Sequence, residues 1–97
     1  MTWSQWWGYR ESIVSTDKDD FGVYELIDGD EYIVYIGSGQ VKTRLLDHLN
    51  KKEFPMAEQY RVEYCVTETE CRIREQQLLQ AYKNAHGKLP MYNTDSK

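Results

Sequence analysis

The chain has 97 residues, 40% hydrophobic and 29% charged, which suits one small domain and leaves no room for a second. A net charge of −4 argues against a strong non-specific nucleic-acid binder, because phosphate binding rests on Lys and Arg. No apolar run approaches a membrane span, so no membrane partner is expected. The first residues, Met1-Thr2-Trp3-Ser4-Gln5-Trp6-Trp7, have neither the basic start nor the apolar stretch of a signal peptide. Cys65 and Cys71 have neither CxxC spacing nor a clustered His, and they fit a reducing, cytoplasmic setting.

Charge is unevenly placed. Residues 1–40 hold two bases against eight acids, a net −6, and residues 41–97 hold ten bases against eight acids, a net +2. Lys42, Arg44, His48, Lys51 and Lys52 lie close together in the second part. On charge alone such a run reads as a solvated helix face, with a local basic face as the other option.

Thr2 to Glu11 reads as a short helix, with Thr2 and Gln5 at capping-box spacing and Trp3, Trp6 and Trp7 on one face. Gly8 weakens it. The tryptophan stripe is read as packing on the sheet, with a base-stacking or partner surface as the other option. After a polar loop at Asp17–Asp20, the runs Phe21–Ile27 and Glu31–Gly37 are β-rich and flank Asp28-Gly29-Asp30, a hairpin signal. A two-residue loop at Gly29-Asp30 sets Tyr24 opposite Tyr35, and any even loop keeps both on one face.

Gly37-Ser38-Gly39 is expected to break the second strand. A helix over about 40–50 follows, with Val41, Leu45, Leu46 and Leu49 as its stripe. Arg44 and His48, four apart, share the border of that stripe. Tyr60–Val66 alternates as a third strand. Thr67 with Glu70 caps a long helix over about 68–85, which Gly87 closes ahead of Pro90. The expected fold is α+β: a three-stranded antiparallel sheet flanked by helices.

Glu75 falls inside the apolar face of the long helix, among Cys71, Leu78, Leu79 and Tyr82. A carboxylate aimed at a core must be neutralised, paired or bound to a cation. Periodicity alone leaves two readings open: an ion pair with Arg44 or Arg72, or a metal ligand or catalytic acid.

Together these pieces resemble the GIY-YIG nuclease family. The namesake motifs are Gly22-Val23-Tyr24 and Tyr35-Ile36-Gly37, and the match covers about residues 21–93. The resemblance implies catalytic roles for Tyr24, Tyr35, Arg44 and His48, and a single divalent metal, Mg²⁺ or Mn²⁺, on Glu75. Ser38, Lys42 and Asn93 are read as substrate-binding or site-supporting. Ser38 stands where some members carry a lysine. The implied activity is hydrolysis of DNA phosphodiesters, on a branched or damaged substrate or with a protein partner supplying affinity. The competing reading is a non-catalytic nucleic-acid-binding or protein-interaction module, and RNA stays open as a substrate. No separate DNA-binding domain lies within these 97 residues.

Overall fold

The computed structural model describes residues 2–93. In chain order it contains β1 (Trp7–Gly8), α1 (Glu11–Val14), β2 (Phe21–Ile27), β3 (Ile33–Gln40), α2 (Val41–Lys51), β4 (Gln59–Tyr64), α3 (Glu68–His86) and a 3-10 turn at Met91–Asn93. The sheet is four-stranded and antiparallel, in the order β1-β4-β2-β3, so the expectation of three strands is corrected.

The extra strand comes from the segment expected to be helical. Trp7 pairs with Tyr60 and Gly8 with Gln59. Ser4 joins the same edge: its N–H donates to the Val62 carbonyl at 2.8 Å, and its hydroxyl accepts from the Val62 N–H at 3.0 Å. An uncovered β4 edge offers a row of unpaired backbone groups, and satisfying them outweighs the weak helix propensity around Gly8. The tryptophans pack on both sides of this edge. Trp7 meets Tyr60 edge-on at 5.8 Å, while Trp3 and Trp6 hold the Arg61 guanidinium at 4.2 and 4.7 Å from their ring centres.

The β2–β3 hairpin also differs from expectation. Asp28 and Tyr32 close a three-residue loop in which the Asp28 carboxylate accepts from the N–H groups of Asp30 and Tyr32, each at 2.9 Å, and Glu31 takes φ 69°. An odd loop by itself reverses parity. The bulge between Leu26 and Ile27 restores it, so Tyr24 stands opposite Gly37 and Leu26 opposite Tyr35. The two tyrosines share a face as expected, but diagonally, with ring centres 6.2 Å apart. The Gly37-Ser38-Gly39 stretch does not end the strand, because Gly39 and Gln40 still pair with Gly22 and Phe21.

Helices α2 and α3 begin and end close to expectation, whereas α1 falls just after the segment expected to be helical. Asp19, from the preceding loop, accepts from the Thr43 N–H and hydroxyl at 2.9 and 2.7 Å and so caps α2 in place of Gln40. In α3 the Thr67 hydroxyl accepts from Glu70, and Gly87 closes the helix at φ 79°. Among the described residues no helix is long and apolar enough to cross a membrane.

The pleat sorts the sheet into two faces. Tyr24, Leu26, Tyr60 and Val62 pack with Val41, Leu45 and Val14 beneath α1 and α2. Glu25, Arg61, Glu63 and Ser38 lie on the opposite face, which α3, Trp3 and Trp6 cover. Two carboxylates are therefore buried there. Glu25 pairs with Arg61 at 2.8 Å, and Glu63 takes two hydrogen bonds from Arg74 at 3.0 and 3.3 Å. Strand alternation marks Arg61 and Glu63 only as polar; the neighbouring strand β2 supplies the partner of the first, and the covering helix α3 that of the second.

Burial also raises the phenols of Tyr24, Tyr60 and Tyr64, the last to about 12, with the Asp17, Asp20 and Asp19 charges adding to it. An unfolded phenol titrates near ~10. The folded state thus holds these protons more tightly, and their contribution is complete below pH ~10 and is lost as pH rises through the folded values. Stability measured by denaturant melts is expected to show no tyrosine-linked loss up to pH ~10 and then to fall steeply; a flat profile to pH ~12 contradicts the assigned burial.

Candidate active site

β3 forms an open edge of the sheet, and the candidate residues gather around it. Tyr24 is fully buried on β2, and its hydroxyl lies 3.0 Å from His48 Nε2. The other ring nitrogen, Nδ1, is 2.5 Å from a carboxylate oxygen of Glu53. With Glu53 accepting from Nδ1–H, a neutral His48 has Nε2 left to accept the Tyr24 proton. Both nitrogens are then engaged, and the ring, 5% exposed, has no nitrogen left for a substrate. Glu53 was not singled out in the sequence. It lies beyond the end of α2, and no helical periodicity links it to His48.

Tyr35 is half-buried and stacks on Phe54 at 4.3 Å, while Phe54 in turn meets Tyr92 at 5.1 Å. Both phenols pass close to Gly37. A Cβ there meets Tyr35 Cε2 at 2.7 Å and the Tyr24 hydroxyl at 2.8 Å, so the final residue of Tyr35-Ile36-Gly37 must lack a side chain. Arg44 lies over Gly39 and hydrogen-bonds the Tyr24 phenol. Burial drives the Tyr24 pKa well above the usual value, with the Tyr35 charge adding to it; the Arg44 charge and hydrogen bond oppose this, and Glu75 pushes upward. The Arg44 pKa is raised, mostly by Tyr24, with Tyr35 and Asp47 also contributing.

Glu75 approaches the same strand from α3. The Ser38 hydroxyl donates to its carboxylate. Of the two basic partners considered, Arg72 pairs instead with Glu68 at 3.2 Å. Among the described residues Glu75 forms no ion pair with Lys, Arg or His. Asn93 closes the outer edge of β3: its Oδ1 accepts from the Ile36 N–H at 2.9 Å and its Nδ2 donates to the Ile36 carbonyl at 3.0 Å. It satisfies backbone groups that the edge leaves open, which is a supporting role. Lys42 is placed apart. It is half-exposed on the first turn of α2, where its charge bears on Asp19 rather than on the tyrosines.

Among the described residues no group of three or more His, Cys, Asp and Glu side chains is placed to hold a metal ion. A Mg²⁺ site does not need one, since this ion keeps several waters and takes one or two carboxylates. The half-buried, unneutralised Glu75 beside the Ser38 oxygen is an oxygen donor set of that kind.

A family model, domain of unknown function DUF7508, matches residues 2–85. No curated protein matches the chain. Among solved structures, the GIY-YIG N-terminal endonuclease domain of UvrC from Thermotoga maritima, bound to its catalytic magnesium, superposes with a TM-score of 0.70 at 22% identity, covering 86% of this chain and 93% of that one. A tyrosine-to-phenylalanine variant of the same domain gives a TM-score of 0.70 at 22% identity, with 86% and 92% coverage. An asparagine-to-alanine variant gives 0.68 at 22% identity, with 84% and 90% coverage. Both variants are bound to their catalytic divalent cation. The chain therefore belongs to the DUF7508 family and carries the GIY-YIG fold.

Proposed function

We propose that the protein is a divalent-metal-dependent endonuclease that hydrolyses DNA phosphodiester bonds at the open edge of β3. The observation that carries this reading is Glu75: a half-buried carboxylate held by Ser38, with no basic partner among the described residues, whose charge reaches the Tyr24 phenol that Tyr35 and Arg44 also approach. A merely structural Glu75 calls for a neutralising cation; a metal ligand does not.

Arg44, exposed and forked, binds the non-bridging phosphate oxygens. Tyr24 and Tyr35 take different roles. Tyr24 is sealed from solvent and hydrogen-bonded to His48, which Glu53 orients. It is a positioning residue that keeps the phenol pair and Arg44 in register. Tyr35 is the half-exposed phenol, and it meets the attacking water. Its phenolate, favoured by the nearby Arg44 charge, takes the water proton onto Oη as the new P–O bond forms. The leaving oxygen departs with the electrons of the broken P–O bond and takes a proton from solvent. Glu75 would hold the metal, which when bound supplies positive charge to the phosphoryl and leaving oxygens.

Supercoiled plasmid incubated with Mg²⁺ is expected to be nicked or linearised, and EDTA is expected to stop it. A folded protein that leaves plasmid intact across Mg²⁺ and Mn²⁺ but binds nucleic acid in a salt-dependent way selects the non-catalytic module instead. The split between the tyrosines is measurable. Tyr35→Phe is expected to lower cleavage about 10²–10⁴-fold with stability unchanged. Tyr24→Phe is expected to cost about 1–3 kcal/mol of stability, because it leaves the buried His48 Nε2 unpartnered. Equal cleavage by the wild type and Tyr35→Phe rejects the role given to Tyr35.

A further inference from the structure

A cavity of about 280 Å³ opens beside the buried His48. Its walls are the rings of Tyr9 and Phe54 and the aliphatic groups of Leu49, Pro55 and Ala57, with Lys52 as its one cation. Phe54 is the ring that stacks on Tyr35, so the cavity and the phenol proposed to meet water share a wall. Lys52 makes no ion pair among the described residues, whereas the neighbouring Lys51 is tied to Asp47 at 3.1 Å. The Tyr9 hydroxyl is, among the described residues, the buried side-chain polar atom that lacks a hydrogen-bond partner. Its accessible surface is near nil, so the hydroxyl is sealed behind the cavity wall and is not open to a guest.

The rings, the aliphatic walls and Lys52 describe a flat, mostly apolar guest with an attached anion. The volume lies at the small end of ligand pockets and suits one ring system rather than a stacked pair. We propose that this cavity receives a single unpaired nucleobase of the strand being cut, next to the scissile phosphate. The base lies among the Tyr9 and Phe54 rings and the aliphatic walls, and Lys52 meets the adjoining phosphate. The inference rests on the nuclease reading for its location, and it adds a substrate preference: DNA with an unpaired or extrudable base over uniform duplex.

The test uses binding alone, in the absence of divalent metal, so that it does not depend on cleavage. The probes are a thymidine oligonucleotide of about eight nucleotides, an abasic strand of equal length, and free thymidine 5′-monophosphate. Affinity is measured for each, and the Leu49 and Ala57 methyl signals are followed by NMR. The expected result is at least about tenfold tighter binding of the thymidine strand than of the abasic strand, with shifts at Leu49 and Ala57 from the former only. Ala57→Leu, which fills the cavity, is expected to abolish the difference while keeping the residual affinity for the abasic strand. Equal affinity for the two strands overturns the proposal, as does a thymidine preference that Ala57→Leu leaves intact in a folded protein. Free nucleotide binding as tightly as the strand overturns the strand-borne origin of the base. Failure of plasmid cleavage with the base preference intact removes the nuclease reading and leaves the pocket standing.

Discussion

Glu75→Gln is expected to fold as the wild type does and to cleave plasmid at least about a hundredfold more slowly. The substitution is nearly isosteric, and the amide oxygen can still accept from the Ser38 hydroxyl. What it removes is the negative charge. A bound cation that stabilises transition-state charge contributes several kcal/mol, and each ~1.4 kcal/mol is tenfold in rate. The stability change separates function from structure. Glu75 sits half-buried without an ion-pair partner among the described residues, so neutralising it removes a desolvation cost. Melting temperature is therefore expected to stay level or rise while activity falls, the trade-off of a carboxylate kept for chemistry. Calorimetry and plasmid nicking on one preparation give both readouts. Unchanged cleavage with a lower melting temperature sinks the metal assignment and returns Glu75 to a structural role.

Arg74→Ala is expected to be the most destabilising of the simple surface-to-alanine changes, at about 3 kcal/mol. Glu63 is 1% exposed and receives both of its side-chain hydrogen bonds from Arg74. Removing the arginine leaves a buried carboxylate uncompensated on the α3 face. The cost is placed at the lower end of the range for broken buried pairs because Arg74 itself is 31% exposed, and water can approach its vacated position. Against a total of ~5–15 kcal/mol this is a large share, and in a chain of this size the melting temperature should drop by roughly 15 °C. Replacing both partners, Glu63→Met with Arg74→Met, is expected to recover most of the loss, because the penalty arises from the orphaned charge and not from the missing attraction. Chemical denaturation of the single and double variants decides it; a single variant within ~0.5 kcal/mol of the wild type would mean that Glu63 finds another partner.

Glu75 and Arg74 lie in parts of the fold that local patterns reveal unequally. The apolar stripe of Val41, Leu45 and Leu49 located α2, and the Thr67–Glu70 box located the start of α3, because each depends on residues a turn apart. Glu75 stood out in the sequence for the same reason: a charge on an apolar helical face violates a local period. The Glu63–Arg74 pair did not, since alternation on β4 makes Glu63 look like an ordinary solvent-facing residue. Only the packing of α3 over that face buries it. Glu53 escaped notice for a related reason: its contact with His48 runs between a helix and the loop after it, where no period applies.

The N-terminal segment shows the limit most clearly. Its tryptophan spacing fits a helix, yet Trp7 and Gly8 extend the sheet and Trp3 and Trp6 enclose Arg61. The strand edge they cover is created by residues more than fifty positions later, and its unpaired backbone groups outbid a weak local preference.

By itself the sequence determined the element types from Phe21 to His86, the shared face of Tyr24 and Tyr35, and the residues that carry the GIY-YIG pattern. The element types and the motif residues follow from short-range periodicity and turn chemistry; the shared face was expected from an even hairpin loop, but the structure reaches it through an odd loop and a bulge. The tertiary structure alone decided the fourth strand, the odd loop corrected by a bulge, which tyrosine is sealed and which is half-exposed, and the absence of a basic partner for Glu75 among the described residues. Each of these depends on what covers a residue from across the sheet. Burial and charge compensation are properties of the packed neighbourhood, so a local pattern can pose the question of a buried charge but only packing can answer it.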